Sequence, residues 1–386
     1  MTHSNNGIKR VIFISNVIGR LGGVTTVVNT LSGAFIERGI DVEYISMVAP
    51  EEGLIHKTKN VRILEPGKGK TIHNPLSSKN PGFLHIKYIL KWMYTKIWDA
   101  KNLLNLHKIF SDMSDSDLVI FVDPFPALAS YNTLKRLKNQ KNRATICTAF
   151  HSSFYSAGHE LIRNFLPKVI EVSDHFILLS KEDAKLFSQE YNTKAIFIEN
   201  PVNKNCNINK TNKDDILSTI TRFSKGKNID KIINAFNKIS PSFPSWELHV
   251  YGEGDELPAV QRELDLAQNS NIHLHPPIPA VEVDKVLAQS KLGIMTSDFE
   301  GLPMFILESM AAKTPVVSTP SSPAVVDIIG KYGYLTDDMS LDAIEEKLYL
   351  AMKDNRLRES KAQEAYEKSQ EFSPEAIAQK WLDLKR

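Results

Sequence analysis

Two glutamates, Glu300 and Glu308, are separated by seven residues in Ser297-Asp298-Phe299-Glu300-Gly301-Leu302-Pro303-Met304-Phe305-Ile306-Leu307-Glu308-Ser309-Met310-Ala311-Ala312. The apolar run Leu292 to Thr296 predicts a strand, so Glu300 falls in the loop at its end. Glu308 falls two turns into the helix that follows, flanked by Leu307 and Met310. A carboxylate in such a stretch needs a specific partner to offset desolvation. Gly301 frees the backbone where the helix begins, and N–H groups there can meet an anion or sugar oxygens. The plainer alternative is a surface glutamate plus a capping glutamate.

Two cations have a comparable placement. Thr221-Arg222-Phe223-Ser224-Lys225-Gly226-Lys227-Asn228 follows the strand-like run Ile216 to Thr221. Where an anionic group gains charge as a bond breaks, fixed cations can stabilise that charge without a metal. Arg222 can clamp two oxygens while Lys227 acts as a point charge, with Lys225 a rival for the second place. A basic loop before a helix remains the simpler reading. Arg20-Leu21-Gly22-Gly23-Val24-Thr25 is a glycine turn without the G-x-G-x-x-G dinucleotide fingerprint. Gly22 and Gly23 serve either a tight turn or the close approach of a ligand. Val250-Tyr251-Gly252-Glu253-Gly254-Asp255 puts Gly252 and Gly254 at another strand end, and His275-Pro276-Pro277-Ile278 follows the next strand. His151 comes straight after the run Thr145 to Phe150, with His159 as its rival.

The elements that must position these residues alternate regularly. Val11 to Ser15 reads as a strand buried on both faces. Val24 to Arg38 reads as a helix closed by Gly39, and Asp41 to Val48 as the next strand. Leu118 to Val122, Thr145 to Phe150, Phe176 to Ser180 and Ala195 to Ile198 continue the series. After the polar stretch Asn203 to Asp215 it restarts: strands Ile216 to Thr221, Trp246 to Tyr251, Ile272 to His275, Leu292 to Thr296 and Pro315 to Ser318, with helices Asn228 to Ile239, Leu257 to Gln268 and Val281 to Gln289 between them. Two successive α/β sets predict two doubly wound domains, 1–203 and 204–370, facing each other across a cleft. The last segment, 371–386, is expected to pack back on the first domain.

The bulk properties fit. At 386 residues the chain exceeds one ordinary core, and 47 basic against 45 acidic residues give a net charge of +2, which does not suit a nucleic-acid binder. Cys147 and Cys206 form no disulfide framework, and no His, Cys and Asp cluster has metal spacing. Without a signal peptide or membrane-length apolar run, the expected location is cytoplasmic. Segment 85–110 interleaves Lys87, Lys91, Lys96, Lys101 and Lys108 with Tyr88, Trp92, Tyr94 and Trp98. It can lie on the inner face of the membrane or pack its apolar face on the first domain.

The span Ser297 to Val317 resembles the signature of the retaining GT-B glycosyltransferases of family 4. That pattern, E-G-x-P then L-E-x-M-A-x-x-x-P-V-V, appears here as Glu300-Gly301-Leu302-Pro303 and Leu307-Glu308-Ser309-Met310-Ala311-Ala312-Lys313-Thr314-Pro315-Val316-Val317. Arg222 and Lys227 are spaced like the family's R-x-x-x-x-K pair. Lys313 stands where the family usually has glycine. The resemblance runs from Val11 to about Ala351 and implies the GT-B fold, two facing Rossmann-like domains. It implies that Glu300 contacts donor-sugar hydroxyls, that Glu308 holds the ribose, and that Gly301, Leu302 and Pro303 face the sugar and diphosphate. His151 then contacts the sugar near the reacting carbon, and Gly22 and Gly23 border the diphosphate across the cleft. Gly252 and Gly254 line the nucleotide pocket, and Ile278 marks the base-recognition loop.

The implied reaction is front-face substitution at the anomeric carbon of a nucleotide sugar, with a UDP-sugar leading and no cofactor or metal. No carboxylate in the motifs is placed as a covalent nucleophile. The implied acceptor is a cell-envelope glycan, a teichoic acid or a lipid-linked saccharide. Asp115-Ser116-Asp117 has the D-x-D form of metal-dependent enzymes of another fold, but its place before a strand reads as a solvated turn. A nucleotide-sugar 2-epimerase of the same architecture and a non-catalytic adaptor of this fold are the competing readings.

Overall fold

A computed structural model describes residues 5–16, 22–47, 61–63, 107–155, 160–203 and 213–386. The first sheet contains β1 (Arg10–Ser15), β2 (Asp41–Ser46), β3 (Val61–Ile63), β4 (Asp117–Phe121), β5 (Thr145–Ala149), β6 (His175–Leu178) and β7 (Ala195–Phe197), in the order β3-β2-β1-β4-β5-β6-β7. The second contains β8 (Asp214–Ile220), β9 (Glu247–Tyr251), β10 (Ile272–His275), β11 (Ser290–Met295), β12 (Val316–Ser318) and β13 (Tyr334–Leu335), in the order β10-β9-β8-β11-β12-β13. Every neighbouring pair in both sheets is parallel. Each sheet starts in its middle, runs to one edge, then returns to grow the other way. These are two Rossmann-like domains of a GT-B fold.

Burial explains the apolar runs. Val11 to Ile14 and Leu118 to Phe121 lie under helices on both faces and are almost fully buried. The helix Gly23–Glu37 carries β1 over to β2, burying Val27, Leu31, Ala34 and Phe35. Phe13 stacks on Tyr44 at 5.8 Å between ring centroids, and the Tyr44 hydroxyl donates to Ser32 Oγ at 2.6 Å. In the second domain Ile229, Ile232, Ile233 and Phe236 recur at helical spacing along Ile229–Ile239 and fill the space over β8 and β9.

The end of the chain crosses back. The helix Pro374–Leu382 packs along Gly23–Glu37, and Arg38 donates to Gln379 Oε1 at 2.7 Å and to the Glu375 carbonyl at 2.6 Å. Lys380 pairs with Glu199 at 2.6 Å. One core cluster continues from the first sheet through Met304 and Met310 of the second domain to Trp381, so the domains share apolar packing.

Two expectations change, and two short strands carried no signal. Glu308 is the fifth residue of the helix Met304–Ala311, a little over one turn in rather than two, because Pro303 delays the start. The edge strands β3 and β13 have three and two residues, too few for a periodic signal. Asp117 is not in a solvated turn. It is buried at the foot of β4 and gripped by Arg10 at 2.9 and 3.0 Å. Burial alone would raise this carboxyl, but the Arg10 and Ser114 hydrogen bonds outweigh it and hold it below its ordinary value. Asp115 is exposed, its N–H bonded to Asn142.

Lys313 ends the helix Met304–Ala311 in the left-handed conformation, φ +54°, which is why glycine suits this place. Its ammonium lies 4.7 Å from the Tyr366 ring centroid. Relief of about 1 kcal/mol of backbone strain, less about 0.5 kcal/mol of cation–π attraction, predicts that Lys313→Gly stabilises the fold slightly. Urea unfolding checks this, and a loss of stability would contradict it.

Candidate active site

Between the domains lies a cavity of about 760 Å³. Thr219 to Arg222 and Met295 to Ser297 line it. These are the carboxyl ends of β8 and β11, where the strand order of the second sheet reverses. Parallel sheets receive ligands at that point. Arg222, Lys227, Glu300, His151, Gly22, Gly23, Gly252, Gly254, Ile278, Gly301, Leu302, Pro303 and Glu308 all line the same cavity. Lys225 does not, which separates the two rival lysines. Arg20, Cys206 and His159 lie outside the described residues, as do positions 85–106 of the basic segment. At that segment's end Phe110 is buried, 6.1 Å from Phe121 between ring centroids.

The lysine is aimed by a turn. Lys227 N–H donates to the Ser224 carbonyl at 3.1 Å, and Thr296 Oγ1 donates to the carbonyls of Lys227 and Asn228 at 3.1 and 2.9 Å. Asn228 Nδ2 donates to Asp298 Oδ1 at 2.6 Å and to the Thr296 carbonyl at 2.9 Å. This stapling to the end of β11 brings Lys227 Nζ onto Glu300 Oε1 as an ion pair. Asn228, Thr296 and Asp298 are therefore positioning residues that sequence spacing did not single out.

Arg222 is positioned by backbone. Thr221 N–H donates to the Tyr251 carbonyl at 3.0 Å, Phe223 N–H to the Glu253 carbonyl at 2.7 Å, and Glu256 N–H to the Phe223 carbonyl at 3.0 Å. Phe223 is wholly buried, which leaves its neighbour Arg222 pointing into the open cleft, and Arg222 forms no ion pair among the described residues. This weave explains Gly252 and Gly254: a Cβ on them would fall 2.0 Å from the Thr221 carbonyl oxygen and 2.2 Å from that of Phe223. The glycines let the Arg222 loop approach, a nearer demand than the approach of a nucleotide. Gly254→Ala should thus cost about 2–4 kcal/mol of stability and displace Arg222. Denaturant unfolding beside kcat measures both; wild-type stability would contradict the clash.

The helix Met304–Ala311 opens on Pro303 with no side-chain cap. Ile306 N–H is taken by the Pro303 carbonyl at 3.1 Å, which leaves the N–H groups of Met304 and Phe305 and the positive dipole end for a ligand. The preceding carbonyls are already held, that of Gly301 by Ser322 Oγ at 2.8 Å and that of Leu302 by Asn200 Nδ2 at 3.0 Å. Asn200 reaches over from the first domain. A Cβ on Gly301 would lie 2.5 Å from the His151 carbonyl oxygen, so the domains meet here backbone to backbone.

Three titratable groups in the cavity wall are shifted: Tyr251, raised by burial, Glu308 and His151. Glu308 keeps part of its surface open to the cavity, yet the protein around it pushes its carboxyl up to about 7 through burial, with Asp284 adding repulsion. Burial pushes the His151 imidazole down to about 4, so it stays neutral near pH 7 and offers a hydrogen bond rather than a charge. The structure also assembles a cluster that sequence spacing had not revealed: Glu247, His249 and His273 converge on adjacent strands outside the cavity.

The chain matches two family descriptions in succession: "Glycosyltransferase Family 4" over residues 21–205 and "Glycosyl transferases group 1" over residues 203–368. It belongs to the group 1 glycosyltransferases of GT-B fold. A glycosyltransferase of Haemophilus influenzae is 25% identical over 98% of this chain and 100% of its own length. The poly(ribitol-phosphate) alpha-N-acetylglucosaminyltransferase of Staphylococcus aureus is 24% identical over 72% of this chain and 57% of that protein. Among solved structures, S. aureus TarM, in a mutant complexed with Fondaparinux, alpha-GlcNAc-glycerol and UDP, superposes with TM-score 0.76 at 15% identity, covering 98% of this chain and 100% of that one. The pneumococcal O-GlcNAc transferase GtfA, in complex with UDP and GlcNAc, superposes with TM-score 0.74 at 12% identity, covering 98% of each chain.

Proposed function

We propose that this chain transfers a hexose or N-acetylhexosamine from a UDP-sugar to a cell-envelope glycan, a teichoic acid or a lipid-linked acceptor, with retention and without a catalytic metal. The observation that carries this reading is the convergence of Arg222, Lys227, Glu300 and Glu308 on one cavity with His151 facing them from the other domain. The acceptor hydroxyl attacks the anomeric carbon from the face the diphosphate leaves. The new C–O bond forms as the old one breaks, and the acceptor's proton passes to a departing phosphate oxygen. Arg222 and Lys227 stabilise the charge that develops there. Glu300, already paired with Lys227, accepts hydrogen bonds from sugar hydroxyls, and Glu308 accepts them from the ribose. The uncapped start of Met304–Ala311 takes the diphosphate.

The retained configuration is supported by the family and by the alpha linkage printed in the names of relatives from S. aureus and Campylobacter jejuni. Envelope acceptors are supported by the S. aureus relative and by an amylovoran biosynthesis glycosyltransferase of Erwinia amylovora, 23% identical over 65% of this chain and 72% of its own length. The family match favours transfer over 2-epimerisation or an adaptor role. The test is incubation of EDTA-treated enzyme with UDP-sugars and candidate acceptors, with the product anomer assigned by NMR. An inverted linkage, or kcat abolished by EDTA and restored by a divalent cation, would overturn it.

A further inference from the structure

We propose that Glu247, His249 and His273 form a binding site for a zinc-class divalent cation, on the face of β9 and β10 opposite Leu248 and Val250 and outside the lining of the sugar-transfer cavity. Strands β9 and β10 pair in parallel with His273 opposite His249 and His275 opposite Tyr251. Side chains alternate across a strand, so Leu248 and Val250 enter the core while Glu247, His249 and Tyr251 share the opposite face. The register sets His273 and His275 beside them.

The geometry is close to that of a metal site. Glu247 Oε2 lies 3.0 Å from His249 Nε2 and 3.6 Å from His273 Nε2. One ligand atom from each of the three lies within 4.8 Å of the others. Ligands on a tetrahedral zinc ion, at bond lengths of about 2.0–2.1 Å, stand about 3.4 Å apart. Small side-chain rotations therefore complete three corners, and the fourth faces solvent. The donor set of two imidazoles and one carboxylate selects zinc-class ions over magnesium and calcium.

A supporting partner is in place. His249 Nδ1 lies 3.0 Å from His275 Nε2. With Nε2 on the cation, His249 carries its proton on Nδ1 and donates it to His275, which fixes the tautomer and the ring orientation. His275 in turn stacks on Tyr251 at 4.4 Å between centroids. An ion at this site ties β10, the edge strand, to β9. Tyr251 itself lines the cavity, and the segments leaving those strands carry Gly252 and Ile278 into its wall, so occupancy stiffens one side of that wall while the three ligands stay outside its lining. This inference stands independently of the proposed reaction.

The test uses the full chain, stripped with EDTA and dialysed, then titrated with zinc chloride by calorimetry and thermal unfolding. Cobalt(II) absorption reports the coordination. The expected result is one zinc equivalent bound with a rise in Tm, no rise with magnesium, and the visible band of a four-coordinate cobalt site. Glu247→Gln and His273→Gln should each weaken binding by about tenfold or more. His273 is part-exposed and outside the cavity, so His273→Gln should keep the wild-type fold and its basal transfer rate. Zinc affinity unchanged in both variants, or no zinc-dependent shift in the stripped wild type, would overturn the site.

Discussion

Replacing Arg222 by alanine should lower kcat for sugar transfer about 10²–10³-fold, the range seen when one preorganised group stabilising transition-state charge is removed. The argument rests on where Arg222 stands. It projects from a loop whose backbone is bonded into the Tyr251 to Glu256 segment, and it forms no ion pair among the described residues. The truncation therefore strands no partner charge and should leave unfolding within about 0.5 kcal/mol of wild type. Charge on the diphosphate is larger in the transition state than in the bound donor, so the loss should appear mainly in kcat. Lys227→Ala should behave differently. Lys227 is paired with the half-buried Glu300, and its removal leaves that carboxylate without its cation. The loss there should extend to KM and to stability. Steady-state kinetics and urea unfolding on the two variants separate these effects. Wild-type kcat in Arg222→Ala would remove this residue from the reaction.

The candidate site was legible in the sequence to the extent that it depends on neighbours along the chain. Glu300-Gly301-Leu302-Pro303 and Leu307-Glu308 lie on one strand end and one helix, so their spacing alone carried them to a common surface. The near-continuous apolar runs of β1, β4 and β11 marked buried parallel strands for the same local reason. What stayed hidden depends on register and on distant backbone. Spacing left Lys225 and Lys227 as rivals, because the deciding contacts come from Thr296 and Asp298 in the loop after β11, some seventy residues on. Gly252 and Gly254 suggested a ligand's approach, whereas their nearest obstacles are the carbonyls of Thr221 and Phe223. Asp117 read as solvated because Arg10, its partner, lies over a hundred residues earlier. Glu247, His249 and His273 escaped notice because only the pairing of β9 with β10 brings them together.

Glu308 should make nucleotide-sugar binding and fold stability respond to pH in opposite directions. Its carboxyl is pushed from an ordinary 4.5 to about 7 by burial first and Asp284 second. The folded protein thus keeps this proton at pH values where the unfolded chain has released it. A raised carboxyl favours the fold fully below about 4.5, and that contribution is lost as pH rises towards 7. The gap between the two values corresponds to about 3 kcal/mol. Glu308→Gln, which cannot ionise, should therefore be more stable than wild type at pH 8 by about 3 kcal/mol, with the difference shrinking towards zero at pH 4.5. Binding runs the other way. In the proposed site ribose hydroxyls donate to the ionised carboxylate, so a donor must expel the proton below pH 7. Affinity for a UDP-sugar, whose phosphates do not titrate in this range, should rise by up to tenfold per pH unit between about 5 and 7 and then level off. In Glu308→Gln the affinity should be weaker and flat. His151, with its imidazole pushed down to about 4, adds no competing slope above pH 5. Calorimetric titrations at several pH values, paired with unfolding of both proteins, test the linkage. Parallel pH profiles for wild type and Glu308→Gln would show that this carboxyl does not hold the nucleotide. Opposed profiles would show a site kept short of its stability optimum so that an unpaired carboxylate awaits the ribose.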